Sequence, residues 1–158
     1  MTGTTTGYLP GMQTDPTGYD LERFTRAQDE RATYQRALRE LRAGRKTSHW
    51  MWFVFPQVAG LGRSDTARTY AVSGLGEARA YLVDPVLGPR LVECCRALLD
   101  LDTTSADDVL GDVDAMKLRS CMTLFARADP DGPFVDVLAK FFDGAPDRST
   151  DEQLGRDQ

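Results

Sequence analysis

The sequence predicts an all-α fold, a single compact domain of about seven or eight helices. Three observations carry this. Apolar residues recur at the i, i+3, i+4, i+7 spacing through most of the chain, and Ser, Asp and Gly punctuate those stretches where caps and stops belong. No segment pairs period-two alternation with hairpin chemistry. The longest apolar run, residues 50–55 (WMWFVF), could be a buried strand, but no second run would partner it, and a strand without partners is not stable.

Length and composition agree with one domain. A chain of 158 residues buries roughly 70% of its unfolded surface, enough for its own core. The 41% apolar and 27% charged make-up is that of an ordinary globular protein, and no apolar run approaches a membrane span. Carboxylates outnumber basic residues 24 to 19, so no domain-wide positive field exists to hold a nucleic-acid backbone. Residues 1–18 open with the Thr-, Gly- and Pro-rich MTGTTTGYLPGMQTDP and read as a disordered leader without a secretory signal. Residues 19–145 form the helical domain, and residues 146–158 read as a frayed polar tail. Cys94, Cys95 and Cys121 cannot make a paired framework. Free thiols fit a reducing compartment, hence the cytoplasm.

Taken in order, Asp20 caps a two-turn helix with Leu21, Phe24 and Ala27 inward. Tyr34, Ala37, Leu38 and Leu41 make the next stripe, which Gly44 stops. Ser48 caps a helix through residues 50–55 that ends before Pro56, because a residue preceding proline avoids the helical region. Such a helix would put Trp50 and Phe53 on one face and Trp52 and Phe55 on another, one pair buried and one edging a pocket. Residues 58–62 form a loop. Ser64 then caps a helix with Ala67, Tyr70 and Ala71 inward, broken by Ser73, Gly74 and Gly76. A short helix from Glu77 packs Ala78, Tyr81 and Leu82, and Asp84-Pro85 opens the next, striped by Leu87, Leu91, Cys94 or Cys95, and Leu98. Ser105 and Asp108 resemble a capping box. Asp112 or Asp114 starts a helix with Leu118, Cys121, Met122 and Phe125 on one face and Lys117, Arg119 and Ser120 projecting elsewhere. Phe134, Val137, Leu138 and Phe141 stripe the last helix before Gly144.

Three motifs in this order, SHWMWFVFPQVAGLGRS (residues 48–64), EARAYLVDPVLGPRL (77–91) and MKLRSCMTLF (116–125), resemble the bacterial family called domain of unknown function 1810, sometimes labelled calpastatin-like. The resemblance runs over residues 19–142 and implies a small, mostly helical cytosolic protein; the family carries no assigned activity. A more distant similarity is to the helical N-glycosidases and ADP-ribose processing enzymes related to the riboflavin pathway. Leu61-Gly62-Arg63, and Lys117 with Met122, correspond to motifs of that family, although its acidic and aromatic signature before the LGR element is not cleanly present. It implies an N-glycosidase-type hydrolase, if the protein is an enzyme.

The residues themselves point to an anion site. Gly60, Gly62, Arg63 and Ser64 precede a helix, where backbone N–H groups, the positive helix end and a guanidinium can converge on one anion; Arg63 is the expected anion-binding residue. Trp50 and Trp52 offer a stacking surface or simply core. Gln57 can read donors and acceptors, and Lys117 and Arg119 add a second basic element. His49, the one side chain with an unperturbed pKa near neutrality, is the candidate proton shuttle. One His and no spaced Cys or carboxylate motif leave no metal site, and no cofactor fingerprint is legible. The expected function is binding or processing of a small anionic, nucleotide-like (ADP-ribose-type) molecule. The alternative is a non-catalytic protein-interaction module that uses the aromatic surface.

Overall fold

The computed structural model describes residues 18–156, so the expected leader lies, but for Gly18, outside the described residues. Seven helices have eight residues or more: α1 (Glu22–Asp29), α2 (Thr33–Ala43), α5 (Leu75–Val83), α6 (Leu87–Leu99), α8 (Asp112–Ala128), α9 (Phe134–Phe142) and α10 (Arg148–Arg156). Three more are single turns: α3 (Met51–Val54), α4 (Asp65–Thr69) and α7 (Ala106–Leu110). The described residues contain no strand. One parallel bridge joins Val58 to Val72, with Val72 N donating to Gln57 O (2.8 Å) and Ala59 N to Val72 O (2.7 Å). No described helix is long and apolar enough to cross a membrane.

The longest helix, α8, is the spine; α5, α7, α9 and α10 pack on it, and α6 joins α5, α2 and α9 behind it. The predicted stripes are the core. Phe24, Tyr34, Ala37, Leu41, Tyr81, Leu87, Leu91, Leu98, Leu118, Met122, Phe125, Phe134 and Val137 are all buried, and the three cysteines lie among them as free thiols. Burial pushes the Cys94 thiol up to about 12 and raises Cys95 and Cys121 well above the ordinary range, as for small apolar core residues.

Capping follows the sequence at several ends. Ser64 Oγ accepts from Ala67 N, Ser105 Oγ from Asp108 N, and Asp84 Oδ1 from the N–H groups of Val86 and Leu87. Gly44 ends α2 at φ 78°, in the left-handed region. The open end of α6 is closed from afar: Lys140 Nζ donates to the carbonyls of Leu98, Leu99 and Leu101.

Five local expectations need correction. Asp20 makes no side-chain cap; α1 starts from Leu21, and it is the Asp20 carbonyl that serves, accepting from Arg23. Residues 50–55 form only one helical turn, with Trp50 and Phe55 outside it, because the Ser48 hydroxyl donates to Glu40 instead of capping. The inward pair is therefore Trp50 and Phe55, with Trp52 and Phe53 half-buried. Helix α5 begins two residues before Glu77, with Gly76 inside it, and Glu77 is buried, paired with Arg23 (2.9 Å) and accepting from Ser73 N. Ser120 is buried, its hydroxyl turned back onto the Met116 carbonyl. Finally, the polar segment after Pro146 is helix α10 rather than a frayed tail. Leu154 and Thr150 are buried, Asp147 Oδ2 caps the first turn through Thr150, and Arg127 holds Asp151 by two bonds of 2.9 Å.

The α5–α6 corner depends on a glycine for close approach. A Cβ on Gly88 would stand 2.1 Å from the Leu82 carbonyl oxygen, which is backbone and cannot swing aside. Gly88→Ala is expected to cost roughly 3 kcal/mol in chemical denaturation; a loss below about 0.5 kcal/mol, the range of an unremarkable surface change, would show that this corner is not tightly packed.

Candidate functional site

The site begins with a buried indole. Trp50 is fully buried, and its Nε1–H donates to Glu40 Oε1 at 2.9 Å. The same carboxylate accepts from Thr47 N (2.7 Å), Ser48 N (3.1 Å) and the Ser48 hydroxyl. Glu40 on α2 thus ties down the whole approach to α3. Burial alone would raise its pKa, but the donors from Ser48, Thr47 and Trp50 outweigh it and hold the carboxyl at about 2.

With Trp50 pinned inward, Trp52 is left at the surface of the cluster. Lys117 of α8 lays its ammonium over the Trp52 ring, 4.8 Å from the centroid, and faces Asp114 one turn back at 3.6 Å. Asp114 also pairs with the nearly buried Lys46 at 2.9 Å, and Lys46 in turn covers the Trp50 ring at 5.1 Å. Two cations, one carboxylate and two indoles therefore interlock between the α2–α3 connection and α8.

Two hollows meet at this point. The inner one, about 10 Å³, is near the volume one water needs, and is walled by Met51, Trp52, Phe55, Val58, Ala67 and Tyr70. The outer groove, about 300 Å³, runs between Leu61 and Gly62 on one side and Val113, Met116 and Ser120 of α8 on the other, with Asp147 and Ser149 at its end. Gln57 and Lys117 line both. Neither the Gln57 amide nor the Lys117 ammonium has a hydrogen-bond partner among the described residues.

Their lack of partners distinguishes this groove from a roomier cleft, about 640 Å³, beside α1. There the central charged groups make short bonds within the protein: Arg23 with Glu77 and the carbonyls of Thr69 and Ala71, and Asp29 with Arg90.

The expected site residues divide accordingly. Gln57, Gly62 and Lys117 come together in the groove, and Trp52 lines the inner hollow that opens beside Gln57 and Lys117. Trp50 is core and cannot stack on a ligand. Arg119 is a clamp, donating to the carbonyls of Ala145 and Pro146 at 3.0 Å each and so holding the turn into α10. Gly60 and Gly62 serve packing: a Cβ would stand 2.5 Å from Gln153 Oε1 at Gly60 and 2.4 Å from Ala67 Cβ at Gly62. The Ser64 hydroxyl is occupied as the cap of the five-residue α4. Arg63 and His49 are exposed and line neither hollow. Sequence reasoning missed Glu40, which bears no local signal. It also missed Asp114, whose spacing of three from Lys117 on one helix face does carry one.

No group of His, Cys, Asp and Glu among the described residues could hold a metal ion. Fold and groove together define a small all-helical domain with a polar-edged groove beside its longest helix. The chain belongs to the family described as "Protein of unknown function (DUF1810)", whose model matches residues 18–154. A conserved hypothetical protein, Rv1873 of Mycobacterium tuberculosis, has a crystal structure similar to this one, with 48% sequence identity and a TM-score of 0.83 over 87% of this chain and 97% of that one. No curated protein matches the chain.

The pinned carboxylate makes stability pH-dependent with a definite sign. Because folding lowers the Glu40 pKa from near 4.5 to about 2, the ionised form favours the native state. Its contribution is complete above about pH 4.5 and is lost as the pH falls toward 2. Glu40→Gln should cost roughly 2 kcal/mol at neutral pH, by weakening bonds to a charged acceptor, and should flatten the acid limb of the stability curve. Parallel urea titrations between acid and neutral pH check both; an unchanged acid limb in the variant would remove Glu40 from this role.

Proposed function

We propose that the groove at Trp52, Gln57 and Lys117 binds a small organic anion. The observation that carries this reading is that the Gln57 amide and the Lys117 ammonium line both hollows without a protein hydrogen-bond partner, Lys117 having only the longer 3.6 Å ion pair to Asp114 and the face of Trp52. A partly buried ammonium without an acceptor is unfavourable. An oxyanion from outside completes its hydrogen bonding and adds a charge-assisted bond. The apolar wall of Leu61, Val113 and Met116 takes the body of the ligand. Nucleotide-like molecules of the ADP-ribose type belong to this class. A role as a cytoplasmic binding or processing protein is consistent with the three free, buried thiols. Hydrolysis of the N-glycosidase type would need a proton shuttle, and His49 lines neither hollow.

A second reading, a protein-interaction module, rests on different residues than the aromatics. The large apolar side chains exposed among the described residues are all aliphatic or Met, and Val113 and Met116 stand together at the groove lip, 62% and 70% exposed. A partner would bury this pair.

Lys117→Ala and Gln57→Ala separate the readings. Thermal-shift and NMR titration against ADP-ribose, nucleoside monophosphates and organic carboxylates should show binding that either substitution weakens by at least tenfold, about 1.4 kcal/mol, in variants that keep the native helical spectrum and cooperative unfolding. Binding indifferent to both substitutions would overturn the anion site, and loss of a protein partner on Met116→Asp alone would favour the second reading.

A further inference from the structure

Charge bookkeeping around the groove narrows the ligand further. Lys117 is the cation that lines it, and Asp147 is the carboxylate that does so at the far end. Behind the wall, Asp114 faces Lys117 at 3.6 Å and Lys46 at 2.9 Å. Two positive groups are therefore matched by two negative ones, and the exposed Arg63 does not line the groove. The chain as a whole is acidic, with a formal charge of −5. A site for a di- or triphosphate concentrates several cations and backbone donors on its ligand, and this groove has one ammonium and one neutral amide at a single point.

The opposite end has the converse chemistry. Asp147 accepts from Thr150 N and Thr150 Oγ1 through Oδ2, and Asp147 and Ser149 line the groove where it meets the start of α10. A second phosphate placed there would meet a like charge, and like charges brought together disfavour the wrong partner strongly. A hydroxyl or ammonium donor would be accepted. Leu61, Val113 and Met116 give the groove its apolar lining.

Resting on the anion-site reading above, we propose that the ligand is a small amphipathic molecule with one anionic group and no second. That group, a carboxylate or a singly esterified phosphate, meets Lys117 and Gln57; an apolar body lies along Val113 and Met116; and any further polar group is a donor directed to Asp147. Polyphosphates, ADP-ribose included, are disfavoured by the Asp147 carboxylate.

The test compares three probes on the intact protein by chemical-shift titration: 3-phenylpropionate, its neutral counterpart 3-phenylpropan-1-ol, and ADP-ribose. The carboxylate is expected to bind at least tenfold more tightly than either of the others, and to lose that advantage over the alcohol in Lys117→Ala. In Asp147→Asn, which keeps a good helix cap, ADP-ribose, with two phosphates, should gain several-fold more affinity than the carboxylate does. If ADP-ribose binds the unaltered protein more tightly than the carboxylate, and does so through Lys117, the single-charge inference is wrong while the anion site stands. If no probe shows binding that depends on Lys117, the anion site itself is wrong and the inference falls with it.

Discussion

The structure depends on the burial of Trp50 against the Glu40 carboxylate. An indole in a helical core is favourable for its area but carries an N–H that cannot be left unsatisfied, and Glu40 supplies the acceptor from the middle of a neighbouring helix. The same carboxylate takes the two backbone donors and the hydroxyl of the segment before the indole. Four donors on one acceptor group convert a stretch without regular structure into a rigid entry to α3. Where α3 starts then decides which aromatics face in, and it leaves Trp52 and Gln57 facing α8.

On the other side of the groove, α8 contributes to both the core and the site, and the two roles use different faces. Leu118, Met122 and Phe125 are buried, whereas Lys117 and the exposed Val113 and Met116 form the wall. The junction with α10 is a polar construction. Arg119 holds the turn at Ala145 and Pro146, Thr123 Oγ1 accepts from Asp147 N, and Arg127 chelates Asp151, all from α8 to the start of α10. A helix with one strongly apolar anchor, Leu154, is held in place by these bonds, which is why a polar segment is ordered there.

The logic of the groove is that of contrast. Across the described residues, no fully buried side-chain N or O atom lacks a partner, and half-buried cations elsewhere are in use: Arg23 on Glu77, Arg90 on Asp29 and Gln28, Lys140 on three carbonyls. Lys117, whose ion pair to Asp114 is longer at 3.6 Å, and Gln57 have no side-chain hydrogen bond among the described residues, in the place where two hollows join. The Asp114–Lys46 pair keeps the Lys117 side chain over Trp52 without supplying the acceptor that its ammonium needs, since 3.6 Å is longer than a hydrogen bond.

The sequence alone determined the fold class, the core stripes and most helix ends, because these rest on local physics: the 3.6-residue period selects one buried face, and Ser64, Ser105, Asp84 and Gly44 satisfy or terminate backbone groups within a few residues of themselves. Its candidate site residues included Trp52, Gln57, Gly62 and Lys117, which line the two hollows, and equally Trp50, Arg63, Arg119 and His49, which do not. Tertiary structure decided the rest, because the deciding partners lie far along the chain. The break between α1 and α2 passes through left-handed Arg31 and Ala32 (φ 53° and 57°) with neither glycine nor proline to announce it, a strain of about 1–2 kcal/mol per residue accepted for the packing of both helices. Arg119 and Lys117, two residues apart and alike in the sequence, part company because one finds carbonyls near the start of α10 and the other finds a ring and an open groove. Trp50 and Trp52 divide in the same way: Glu40, ten residues upstream, reaches one of them and not the other.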